Sequence, residues 1–274
     1  MSVQWGAGLH TSSEGRVDAA AYEQYIGRWS RLFVPALLDA AEVGVGDRVL
    51  DVATGSGEAA LMAMGVVGET GLVVGADVSS AMLTAASTRL SSSSFLPVAT
   101  DGQTLAFRDA SFDAVICQLG LMFFPDPTRG LAAARRVLCP GRCASVCVIS
   151  LPERAPMWGV LADTLSRYLP SQARAMQLSF SLADPALLGH IFDITGFRDV
   201  RVRRETREGS FESFDEYWAP IESGVGQLPQ AYLALPETSR RSVRDEVCTR
   251  LAQFEANGRL VMSVEMLIGS GRSS

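Results

Sequence analysis

Val49-Leu50-Asp51-Val52-Ala53-Thr54-Gly55-Ser56-Gly57-Glu58 decides the fold of this chain. Strand-like residues run into a glycine turn and carry a carboxylate near the strand's end, and Ala59, Ala60, Leu61, Met62 and Ala63 continue as helix formers. A strand, a glycine turn and a helix in that order form a nucleotide-binding unit, because a turn without Cβ atoms lets backbone lie against a ligand. Asp77 closes a second apolar run, Leu72-Val73-Val74-Gly75-Ala76. It stands about twenty residues after the turn, where a carboxylate can accept both hydroxyls of a ribose.

The glycines alone fit two cofactor classes. Gly55, Gly57 and Ala60 satisfy the G-x-G-x-x-G/A pattern of dinucleotide binding. Asp51 speaks against that class, since a charge near the end of a buried first strand is costly unless it meets a cationic or hydrogen-bonding ligand. A ligand with an amino group suits it.

The residues downstream carry a resemblance. Asp77 is followed by Val78-Ser79-Ser80-Ala81-Met82-Leu83, then Ala99-Thr100-Asp101-Gly102, then Leu105-Ala106-Phe107-Arg108-Asp109-Ala110-Ser111-Phe112-Asp113-Ala114-Val115. In this order the chain resembles the class I S-adenosylmethionine-dependent methyltransferases, most of all the branch with the ubiquinone/menaquinone C-methyltransferases and many natural-product methyltransferases. The match is good over roughly residues 20 to 150 and loose beyond.

The resemblance implies roles residue by residue. Asp51 would face the methionine amino group, with Ala53, Thr54, Gly55 and Gly57 forming the turn beneath the cofactor. Asp77 would hold the ribose hydroxyls, Val78 and Met82 would pack on the adenine, and Asp101, between Thr100 and Gly102, would accept from its amine. Gln118 would line the far side, and Tyr25 and Trp29, on a helix that in the family folds over the cofactor, would close the methionine end. Ala53 stands where the family usually has its first glycine, a minor departure if its φ is negative.

Composition sets outer limits. At 274 residues and 47% hydrophobic, the chain can bury one large core near the upper size of a single domain. A net charge of −6 argues against a phosphate-backbone partner, so nucleic acid is not the expected substrate. All 24 basic residues are arginine, which removes Schiff-base and P-loop lysine chemistry. The start of the chain lacks signal-peptide character and no window is apolar enough to span a membrane, so the expected location is cytoplasmic. Oligomeric state is not written in the sequence.

No metal is expected. Cys139, Cys143 and Cys147 follow one another at even spacing, but Cys143 and Cys147 share one face of a strand while Cys139 precedes the turn Pro140-Gly141. Only His10 and His190 could add imidazole, and neither sits in a ligand-spaced motif.

Periodicity predicts an α/β fold: a Rossmann-like, doubly wound, mostly parallel seven-stranded sheet with a helical cap. Residues 1–18 are polar and glycine-rich, and Ala19 to Ala41 reads as helix, giving an N-terminal helical segment over 1–40. Residues 41–150 form the cofactor-binding core, with strands at about 72–76, 95–99, 113–118 and 143–150 after the first. A helical insertion at 151–195, a core strand at 196–207, a second helical insertion at 208–258 and a last strand with its tail at 259–274 complete the chain. Insertions at the carboxyl edge of such a sheet would cap the site and choose the substrate.

The chemistry implied is transfer of a methyl group from S-adenosylmethionine to a small-molecule acceptor at O, N or C, in specialised or quinone-like metabolism, leaving S-adenosylhomocysteine. Leu121, Met122 and Phe123 after strand four, with Trp158 from the cap, are the expected substrate pocket. The loop Leu119-Gly120-Leu121-Met122-Phe123-Phe124 holds no base. His190 and Tyr22 are the candidate catalytic groups, entering from the cap and the N-terminal helix. Two other readings stay open: a cyclase of the same fold that binds the cofactor without transferring methyl, and a non-catalytic ligand-binding protein.

Overall fold

The strands are β1 (Arg48–Val52), β2 (Leu72–Asp77), β3 (Phe95–Ala99), β4 (Phe112–Gln118), β5 (Leu138–Ile149), β6 (Arg198–Phe211), β7 (Glu255–Ala256) and β8 (Arg259–Arg272). The computed structural model describes residues 22–274, so the stretch 1–18, His10 and the start of the helix expected from Ala19 lie outside the described residues. Seven strands follow the order β3-β2-β1-β4-β5-β8-β6, and β7 pairs with β8 as a short eighth. β1 to β5 pair in parallel, whereas β8 runs antiparallel to both β5 and β6.

Helices Val34–Ala40, Glu58–Val67 and Ser80–Leu90 cover one face of the sheet, and Pro127–Val137 and Pro185–Ile194 the other. Buried on both faces, the central strands read as apolar runs: β1 is buried after its first residue and β4 is buried at Ala114, Val115, Ile116 and Cys117. β6 lies at the edge, where Arg198, Arg201, Arg203, Arg204 and Arg207 blunt it against further pairing.

Register positions the site. Asp51 pairs with Gly75 of β2 and with Ile116 of β4, so Asp51, Asp77 and Gln118 come out along the carboxyl edge of three neighbouring strands. The chain order reverses between β1 and β4, the place where a doubly wound sheet opens a crevice for a ligand.

Several boundaries differ from the sequence expectation. The single helix to Ala41 is instead a π turn at Glu23–Gly27, a short helix at Arg28–Ser30, a tight turn at Arg31–Phe33 and a new helix from Val34. Pro35 explains the break, because it has no N–H to give and is tolerated only in a helix's first turn. β6 continues to Phe211, beyond the expected boundary at 207, because its ladder with β8 runs on to Phe211 and Leu260. The helix Pro185–Ile194, expected in the cap, packs on β6 and β8 and belongs to the sheet's cover. The two insertions otherwise hold the helices Pro156–Tyr168, Phe214–Glu222, Gln227–Leu233 and Glu237–Leu251.

Candidate active site

Two glycines shape the turn after β1. Gly55 and Gly57 both hold positive φ, at 54° and 83°, and the latter opens the helix Glu58–Val67. A Cβ on Gly57 would meet the Leu90 side chain at 2.8 Å, so glycine is needed there for close helix packing as well as for the turn.

Asp51 is completely buried at the end of β1. Its Oδ2 accepts the Thr54 hydroxyl at 2.7 Å, and its Oδ1 has no partner. Burial raises this carboxyl to about 7; the Thr54 bond opposes the rise and the nearby Asp77 adds to it. A buried acceptor with a free lone pair fits an ammonium group, whose charge would return the carboxylate to its ionised form.

Asp77 ties the second strand to the turn. Its Oδ2 accepts the N–H of Gly55 at 2.9 Å and its Oδ1 accepts the N–H of Ser79 at 2.8 Å. Burial raises its pKa against those backbone bonds. A carboxylate has room for further donors, so the two bonds aim it without exhausting it. Val78 and Met82 stand half-buried beside it, the latter on a helix capped by Ser79, whose Oγ accepts the N–H of Met82 at 3.3 Å. The N–H of Thr100 bonds the carbonyl of Asp77 at 3.0 Å, and Oδ1 of Asp101 holds the N–H of Gln103 at 2.7 Å, placing Gly102 within the same turn.

Five buried side-chain polar atoms lack partners among the described residues, and four of them belong to the set implied above: Tyr25 OH, Trp29 Nε1, Asp51 Oδ1 and Gln118 Oε1. Buried polar atoms are rarely left unpaired, so Asp51 Oδ1 at the carboxyl end of β1 fits a ligand that supplies its partner, whereas the Trp29 ring lies against Gly209 of β6 and the Tyr25 ring near Gly226 of the second insertion. Gln118 donates Nε2 to the Ser30 carbonyl at 3.0 Å and thereby fastens the N-terminal segment to β4. Trp29 packs on Phe211 with ring centroids 4.8 Å apart, and Arg28 lies over its ring. Asp51, Asp77, Val78 and Met82 therefore fit S-adenosylmethionine: acceptors for an amino group and a ribose, and a half-buried wall for a base.

The catalytic candidates fare differently. The Tyr22 hydroxyl lies 3.6 Å from where a Cβ on Gly55 would stand, over the glycine turn. Burial, with Asp77, Glu58 and Asp51 in turn, pushes the phenol up to about 12, so near neutral pH it donates a hydrogen bond and does not act as a base. His190 is exposed on the helix Pro185–Ile194, which covers β6 and β8, and the structure does not bring it to this cluster. Leu121 and Met122 are buried and Phe123 half-buried in a turn just beyond β4, while Trp158 is buried on the helix Pro156–Tyr168. Ser181 donates to the Met122 carbonyl at 2.9 Å, which joins that turn to the first insertion.

Three features escaped the sequence reading. Ala53 has φ of +57°, not the negative value that would make its methyl harmless, and Leu119 has +55°. Glu265 is buried beside the end of β5, accepting from Ser150 at 2.7 Å and from Arg154 at 3.2 Å, with Arg204 at 3.5 Å. A lone acid in the apolar run Val264 to Ile268 was the available signal for it. A surface cavity of about 350 Å³ lies elsewhere, near Cys143, Arg201, Arg203 and Arg272, where Asp39 and Glu42 already pair with the latter two arginines. Among the described residues there is no metal-ligating cluster and no helix long and apolar enough to cross a membrane.

Residues 50–144 match the family described as methyltransferase domain. The chain is 35% identical over 129 residues to the ubiquinone/menaquinone biosynthesis C-methyltransferase of Teredinibacter turnerae, covering 46% of this chain and 52% of that protein. It is 32% identical over 187 residues to the demethylmenaquinone methyltransferase of Mycolicibacterium vanbaalenii, covering 64% of this chain and 79% of that protein. The chain thus spans about half the length of the first relative and more of the second. In three dimensions it resembles a phosphoethanolamine N-methyltransferase of Haemonchus contortus solved with S-adenosylhomocysteine, with TM-score 0.60 at 17% identity, over 96% of this chain and 59% of that one. That likeness bears on the fold alone.

Proposed function

The chain belongs to the class I S-adenosylmethionine-dependent methyltransferase family, and from that premise we propose that it methylates a small, apolar acceptor of quinol or phenol chemistry. One observation carries the choice of acceptor: the turn Leu121–Phe123 at the carboxyl end of β4 is wholly apolar, and His190, the one histidine among the described residues, lies away on the helix that covers β6 and β8. Cys117, just before it, is held as a thiol by burial, with Asp51 adding, its pKa pushed up to about 12. An acceptor that ionises by itself needs no base from the protein.

When bound, S-adenosylmethionine supplies the electrophilic sulfonium methyl. The protein's own part is alignment and exclusion of water. In this reading Asp51 binds the amino group, Asp77 the ribose and Asp101 the adenine amine, while Tyr22 donates over the turn. Tyr25 and Trp29 close the open side. Leu121, Met122, Phe123 and Trp158 wall the acceptor. The relatives named above act on demethylmenaquinone or in ubiquinone and menaquinone biosynthesis, which supports an enolised ring carbon as the attacking atom.

The test is mass spectrometry with methyl-labelled S-adenosylmethionine and a short-chain demethylmenaquinol. Labelled methyl on the ring carbon supports the reading. Transfer to an amine alone, or no transfer across quinols and phenols, sinks it. Rearrangement of a substrate without gain of mass would point to the cyclase.

A further inference from the structure

The turn beneath the cofactor and the loop that walls the acceptor touch at one point. A Cβ on Gly120 would stand 2.5 Å from the Ala53 methyl and 2.8 Å from Cys117 Sγ, so the backbone of Gly120 lies directly against both. Both sides of that contact are strained. Ala53 and the neighbouring Leu119 have φ of +57° and +55°, a region that residues with a Cβ seldom enter.

Gly120 begins the acceptor wall. Its carbonyl accepts the N–H of Phe123 at 3.0 Å, the Leu121 carbonyl accepts that of Phe124 at 3.1 Å, and the N–H of Leu119 is held by the Cys147 carbonyl at 2.9 Å. The loop is thus anchored on β5 before Gly120 and on the first insertion at Met122, and between the two anchors Gly120 meets the Ala53 methyl and Cys117 Sγ. Strained backbone persists only where its surroundings over-determine it, and it concentrates where geometry serves function.

We propose that Ala53 is a positioning residue: its methyl, held in the left-handed conformation, sets the height of the loop Leu119–Phe124 and so the approach of the acceptor. The inference rests on Leu121–Phe123 being the acceptor wall. A glycine at 53, as the resembled family usually has, would leave Gly120 free to settle toward β1. The residue under the cofactor thereby helps select what stands opposite it, without touching the acceptor.

The experiment compares the parent with Ala53→Gly and Ala53→Ser as full chains. In Ala53→Gly, amide exchange over 119–124 should quicken roughly tenfold as the loop loses its stop. The kcat with the short-chain demethylmenaquinol should fall roughly tenfold, since small misplacements are costly in catalysis. Ala53→Ser keeps the Cβ and should keep parental exchange. Gly120→Ala should lower Tm less in the Ala53→Gly background than in the parent, because one of its two clashes is gone. Unchanged loop exchange in Ala53→Gly, or a Ser variant that behaves as Gly does, would overturn the proposal. A parent inactive on every quinol and phenol would count against the acceptor reading alone; loop exchange and the Gly120 coupling would still decide the role of Ala53.

Discussion

Thr54 donates its hydroxyl to Oδ2 of Asp51 at 2.7 Å and leaves Oδ1 buried with no partner. The carboxyl is held at about 7 chiefly by burial, so the site is tuned to a cation before one arrives. Docking of an ammonium group favours the carboxylate, and binding therefore releases a proton below neutral pH. Titration calorimetry with S-adenosylhomocysteine in buffers of different ionisation enthalpy should show release approaching one proton near about pH 6 and fading by about pH 8.5. Asp51→Asn should abolish it. The sign for stability follows from a folded pKa above the ordinary 3.8: the contribution of Asp51 is complete below about pH 4 and is lost as pH rises through about 7.

Asp77 carries two backbone N–H groups, those of Gly55 and Ser79, in addition to its expected ribose. Asp77→Ala should weaken S-adenosylhomocysteine roughly tenfold or more, since charged hydrogen bonds contribute about 1.5–3 kcal/mol. It should also lower Tm without ligand, because the turn loses its tether. An unchanged dissociation constant would show that the ribose lies elsewhere.

Tyr217 and Trp218 are each 1% exposed, and the Tyr217 hydroxyl donates to the Met157 carbonyl at 2.7 Å across the two insertions. Such rings fasten the two insertions together. Tyr217→Phe should therefore cost about 1 kcal/mol in denaturant unfolding, the net contribution of one buried hydrogen bond, with cofactor affinity unaltered.

Gly209 of β6 lies flat under Trp29, where an added Cβ would fall 1.9 Å from the ring. Gly209→Ala should lift the N-terminal segment from the sheet at a cost of about 1–3 kcal/mol. A lowered Tm together with weaker S-adenosylhomocysteine binding is expected. A variant with parental values of both would show that the segment does not close the site.

Sequence alone determined the doubly wound sheet and singled out the acids Asp51 and Asp77 at its strand ends, because those signals are local. Apolar runs such as Leu72 to Ala76 are strands by composition, and glycines at 55 and 57 announce a turn whatever surrounds them. Tertiary structure decided the rest. Whether Ala53 is harmless depends on its φ, which the approach of Gly120 from β4 accompanies and no neighbour in sequence reveals. Glu265 reads as a stray charge until Ser150, 115 residues away, is brought to it. His190 lies on a helix whose periodicity fits cap and core alike, and only packing on β6 and β8 placed it outside. Helix and strand are set by the residues beside one another, whereas burial and contact are set by residues the chain brings together from afar.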